Sequence, residues 1–110
     1  RTHAQPERGG GMTDLYILKD GVPVLANSID EWGTWFETAE RQVALDEIDG
    51  VEVSTVFLGA DYSHTGGAPV LYETMIFGGE YDKKYQYYHT LEEAREGHRK
   101  AVAMITESPK

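Results

Sequence analysis

Two hydrophobic runs near the middle of the chain limit its fold more than any other feature. They are Val51-Glu52-Val53-Ser54-Thr55-Val56-Phe57-Leu58 and Val70-Leu71-Tyr72-Glu73-Thr74-Met75-Ile76-Phe77. Each is strand-length and rich in β-branched and aromatic residues, which suit a pleated, half-buried surface. We read them as neighbouring antiparallel strands at the centre of a sheet. Their connection, Gly59 to Pro69, holds Asp61, His64 and Gly66-Gly67. It is longer than a plain hairpin needs, and such loops often carry function.

The flanking segments supply the rest of the sheet and its cover. Asp14 to Lys19 and Val22 to Leu25 read as two short strands joined at Asp20-Gly21, a type I′ turn signal. Pro23 cannot donate to a ladder, so the second of these belongs at an edge. Val43 to Ile48, followed by Asp49-Gly50, repeats the strand-and-turn pattern. Tyr85 to His89 reads as the last strand.

Two capping boxes mark two helices. Ser28-Ile29-Asp30-Glu31 opens one that carries Ile29, Trp32, Phe36 and Ala39 at helical spacing, with Trp35 beside them. Its aromatic cluster is the largest apolar payload in the chain, and core packing is its first explanation. Thr90-Leu91-Glu92-Glu93 opens the other. There Leu91, Ala94, His98, Ala101, Val102 and Ile105 form one apolar stripe, ending near Thr106.

The predicted order is β-β-α-β-β-β-β-α. It implies an α+β fold, a two-layer sandwich of a mostly antiparallel sheet and two helices. At 110 residues the chain is long enough for one such domain. Residues 12–110 are assigned to it. Residues 1–11 carry no periodic pattern and read as a disordered tail, or as a leftover foreign to the domain.

Composition excludes several classes. There is no cysteine, hence no disulfide, thiolate catalysis or cysteine-based metal site. No apolar run is long enough to cross a membrane, and no secretory signal opens the chain. We expect a cytoplasmic protein. The net charge is −9, which disfavours direct binding to a nucleic acid backbone.

Several stretches resemble a known group of sequences: Trp35-Phe36-Glu37, Val53 to Gly59, Tyr72-Glu73-Thr74-Met75, Phe77-Gly78-Gly79, Thr90 to Ala94 and Gly97-His98. Together they span about residues 15–103. In them the chain is similar to short uncharacterised proteins encoded by tailed phages and prophages, mainly of actinobacterial hosts. Where those relatives tend to carry a Leu-Asp-His-like run, this chain has Ala60-Asp61-Tyr62-Ser63-His64. The resemblance implies a phage accessory protein in a host cell. It implies no reaction.

Candidate chemistry is sparse. Glu73 shares its strand face with Leu71, Met75 and Phe77, so its carboxylate is expected to be partly buried and in need of a partner. His98 lies on the apolar stripe of the second helix, next to Gly97. A glycine there costs about 1 kcal/mol relative to alanine, so close packing or room for a ligand should explain it. Glu73 and His98 are the catalytic candidates, with Asp61, His64 and His89 as metal-ligand candidates. Their spacings match no metal motif, and no cofactor is expected. Tyr81, Tyr85, Tyr87 and Tyr88 crowd one segment and suit a protein interface.

The leading expectation is a non-enzymatic module that binds another protein, with inhibition of a host nucleic-acid-handling protein as its sharper form. A metal-dependent or acid–base enzyme centred on Glu73 and nearby histidines is the alternative. A virion or homodimeric structural protein is the third.

Overall fold

The computed structural model describes residues 13–63 and 67–107. The tail and His64 lie outside these residues. The chain runs β1 (Tyr16–Lys19), β2 (Val22–Leu25), α1 (Ile29–Thr38), β3 (Gln42–Ile48), β4 (Val51–Phe57), β5 (Tyr72–Phe77), β6 (Tyr85–Tyr88) and α2 (Leu91–Thr106). This is the α+β order expected from the sequence.

The strands form two antiparallel sheets. β3-β4-β5-β6 makes a four-stranded sheet, and β1-β2 a separate hairpin. The hairpin docks where β4 ends. The amide of Tyr16 donates to the Gly59 carbonyl at 2.9 Å, and that of Asp61 to Asp14 at 3.0 Å. An isolated bridge joins Leu15 to Ala60. β1 thus takes over the flank of the central strand beyond the start of β3. Pro23 sits in β2 opposite Leu18, on the strand that closes the hairpin.

Local chemistry explains the turns. Asp20-Gly21 has φ of 51° and 79°, and Asp49-Gly50 has 50° and 81°. Positive φ at both central residues is the type I′ requirement, and the resulting twist matches that of the flanking strands. In the register, Lys19 faces Val22 and Ile48 faces Val51, so each hairpin has a two-residue loop.

The helices are capped as the sequence demands. The Glu31 amide donates to the Ser28 hydroxyl at 3.0 Å. The Glu93 amide donates to Thr90, and the Glu93 carboxylate accepts from the Thr90 amide. These bonds satisfy donors that a helix start leaves without intrahelical partners.

β4 and β5 are buried on both faces. Val53, Thr55, Phe57, Tyr72, Thr74 and Ile76 share the face covered by α2, while Val56, Glu73 and Phe77 lie on the other. The core gathers Phe57, Leu71, Tyr72 and Ala94, with Trp35, Tyr88 and Leu91 packed against them. Trp35 and Phe57 meet edge-to-face at 5.9 Å, as do Phe57 and Tyr72 at 5.4 Å. Trp32 is buried, and its indole N–H donates to the Gly59 carbonyl at 2.8 Å. The aromatic payload of α1 is therefore core. Ile29, on the same sequence stripe, stands 57% exposed at the first helical position.

Gly97 has a packing explanation. A Cβ there would lie 2.0 to 2.3 Å from the ring end of Tyr88. The helix is brought against β6 by the absence of that one carbon. Gly97→Ala should therefore destabilise the fold by about 1–3 kcal/mol through overpacking, despite alanine's better helix propensity. Combining it with Tyr88→Leu should recover part of the loss in urea unfolding. An unchanged Gly97→Ala midpoint would refute this packing.

Candidate functional site

The cleft beside α2 is built from the C-terminal part of the sheet upward. α2 leaves a groove of about 680 Å³ against β5 and β6. Ile76, Tyr88, Ala101 and Met104 give it an apolar lining, with Lys84, Glu92 and Lys100 among its charged residues. Thr74 and Gly97 also line it.

A buried polar chain runs inward from this groove. Tyr88 is hydrogen-bonded to Thr74. The Thr74 and Thr55 hydroxyls share a hydrogen bond of 2.5 Å. Thr55 Oγ1 lies 2.7 Å from His98 Nδ1. His98 Nε2 lies 2.8 Å from Asp46 Oδ2, whose side chain is 56% exposed. The carboxylate can only accept, so Nε2 carries a proton. In the neutral ring Nδ1 must then accept from Thr55. Thr74 donates to Thr55 in turn. In that tautomer the Thr55 and Thr74 hydroxyls are both oriented by the one imidazole.

An acid, an imidazole and a hydroxyl in series invite comparison with a nucleophilic triad. The geometry here serves a different end. Thr55 is 0% exposed and its oxygen already meets both Thr74 and His98. No carbonyl or phosphoryl centre can reach it. The chain is the way a sheet face buried under a helix satisfies its polar side chains.

Glu73 lies on the opposite face, 2% exposed. It is hydrogen-bonded with the hydroxyl of Tyr87. The Tyr62 ring sits 5.7 Å from that of Tyr87. His89 is exposed at the end of β6, with Nδ1 3.0 Å from the Pro69 carbonyl oxygen. Asp61 accepts from the amides of Ser63 and Val70 at 2.8 and 2.9 Å, so it closes the ends of the long loop. The two sheet faces thus divide Glu73 from His98, while Asp61 and His89 bind the two sides of the Pro69–Val70 peptide. Among the described residues, no three His, Asp or Glu side chains gather as a metal site.

Of the four clustered tyrosines, Tyr85 and Tyr87 come together. Tyr85 and Tyr87 rings are 5.3 Å apart and continue the contact to Tyr62. Tyr85 is 57% exposed. Tyr81 lies under the Lys84 ammonium at 5.6 Å, in the turn before β6. Tyr88 points to the other face, into the groove. Thr55, Thr74 and Asp46 are the members that sequence reading missed. Their signal was available only as register: Thr55 faces Thr74, and Asp46 faces Val53, across adjacent strands.

Comparison with protein-family models, curated proteins and solved structures finds no match to this chain.

Two outcomes follow from the buried polar groups. Thr55→Val keeps the shape but strands His98 Nδ1 and Thr74, and should cost about 1–3 kcal/mol in chemical denaturation. Asp46→Asn, at an exposed carboxylate, should cost under about 1 kcal/mol. Equal effects would contradict the assigned directions.

Burial raises the pKa of Tyr72 and Tyr88, and burial first and the Glu73 charge second raise that of Tyr87. A raised folded value means that stability is intact below the ordinary tyrosine pKa. It then falls as pH climbs through the folded values. Absorbance titration should therefore show phenol ionisation delayed past pH 10.0, together with alkaline loss of the fold.

Proposed function

We propose that this protein is a non-enzymatic, protein-binding module, with the groove between α2 and β6 as its contact surface. One observation carries the reading. An open cleft of about 680 Å³ has an apolar floor and a mixed-charge rim, and two tyrosines of β6, Tyr85 and Tyr88, line it. Its size falls in the range of about 300–1,000 Å³ that suits a ligand or an anchoring side chain. Tyrosines add contact area with two χ angles to immobilise, and concentrate at interfaces for that reason.

The occupant we propose is an extended segment of a basic partner protein. It would place an aliphatic or aromatic side chain on Ile76, Ala101 and Met104, with lysine or arginine beside Glu92. The net charge of −9 would favour such a partner over an acidic one and speed its approach. In the setting implied by the sequence resemblance, the partner would be a host protein met in the cytoplasm by a phage accessory protein. Occupation of a basic nucleic-acid-handling protein is the sharper form of the same proposal.

Selection from a displayed random-peptide library tests the groove directly. Enriched peptides should combine an apolar anchor with basic flanks, and should weaken as salt is added. Ala101→Trp, which fills the floor, and Met104→Glu, which makes it polar, should each reduce binding by tenfold or more. No enrichment, or peptides indifferent to both substitutions, would dismiss the groove as the contact surface.

A further inference from the structure

We propose that β6 is a self-pairing edge, and that two copies of this chain join through it into one continuous antiparallel sheet. The other exposed strands are each protected. β2 carries Pro23. β3, the far edge of the main sheet, has a register break between Gln42 and Ala44 and carries Asp46 and Glu47. The Gln42 amide nitrogen fills that break, lying 2.8 Å from the Ala44 carbonyl, 3.0 Å from that of Thr55 and 3.1 Å from the Ser54 hydroxyl. Proline, bulges and charge are the usual devices that stop a strand edge from recruiting another. β6 reads Tyr85-Gln86-Tyr87-Tyr88 and has none of them.

The free backbone groups suit a two-fold partner. Within the sheet, the carbonyls of Lys84 and Tyr88 accept from Ile76 and Leu71. Alternation therefore turns the backbone groups of Tyr85 and Tyr87 outward. A two-fold axis beside Gln86 sets Tyr85 opposite the second copy's Tyr87, and Tyr87 opposite its Tyr85. These are the two positions able to exchange paired backbone bonds. The Gln86 amide, which donates to the Tyr87 carbonyl at 3.3 Å, would yield that acceptor to the incoming strand.

Side-chain chemistry matches the same register. Tyr85 and Tyr87 share a face, so each meets a tyrosine across the junction. The ring series Tyr62, Tyr87, Tyr85 would run on into the second copy. No charge within β6 opposes its own image. Lys84 of each copy falls beside the other copy's Tyr88, next to the acidic start of α2 at Glu92 and Glu93. The pairing thus joins opposite charges at both ends.

The pairing rests on the edge strand alone. Its consequence rests on the groove reading above: the two clefts would face each other across the axis. They would form one trough between two α2 helices, floored by β5 and β6 of both copies.

Sedimentation equilibrium from micromolar to millimolar protein tests the pairing. The full chain should approach twice its monomer mass of 12.3 kDa. Added salt should favour the dimer by screening the net charge of each copy, opposite to its effect on peptide binding in the groove. Tyr85→Pro removes an outward donor, and Tyr85→Lys places charge on the edge. Both should give folded monomers, checked by circular dichroism, whereas Ala101→Trp should leave the dimer intact. A wild-type monomer at millimolar concentration, a dimer that survives both Tyr85 substitutions, or open-ended assembly would each overturn the proposal. None of these three results bears on whether the groove binds peptides.

Discussion

The structure depends on a pair of strands with no wet face. β4 and β5 lie at the centre of the main sheet, and residues from Val53 to Ala60 are all buried. A sheet covered on both sides gains apolar burial twice but leaves its polar side chains nowhere to meet water. Each must find a partner inside or forfeit about 1–3 kcal/mol. Thr55, Thr74 and His98 answer one another on the α2 face. Glu73 and Tyr87 do so on the other. The two chemically suggestive residues of the chain are therefore held by the same structural need, on opposite sides of one sheet.

Packing around that pair sets where the surface opens. Phe57 is fully buried and meets both Trp35 and Tyr72 edge-on. It ties α1, the sheet and the α2 side into one core. Burying such a ring is worth about 2–3 kcal/mol relative to exposure. The Tyr88 ring, seated against Gly97, holds α2 to the last strand. Beyond that contact the helix no longer covers β5 and β6 completely, and the groove begins.

Edges are treated unequally. β3 is blunted by a bulge and by acids, β2 by proline, and β6 by its shortness alone. In a chain otherwise dense in charge, a bare tyrosine edge beside an open cleft concentrates the recognition chemistry on one side of the molecule. The Asp46–His98–Thr55–Thr74 series runs beneath that side, where Thr74 and Tyr88 line the groove.

Much of the fold was legible because its signals are local. The two Asp-Gly turns, both capping boxes, Pro23 at an edge and the extent of α2 each follow from backbone preferences within a few residues. The sequence alone also determined the element order and the acidity. It did not determine which face of β5 meets α2, because Tyr72, Thr74 and Ile76 are nearly as apolar as Leu71, Met75 and Phe77. Nor did it show that Asp46 reaches His98, 52 residues away. Those facts depend on strand register and helix docking, which arise when distant segments compete for the same buried area. The separation of Glu73 from His98, the service of Gly97 to a tyrosine ring and the groove itself were decided there, by packing between segments that no single stretch of sequence contains.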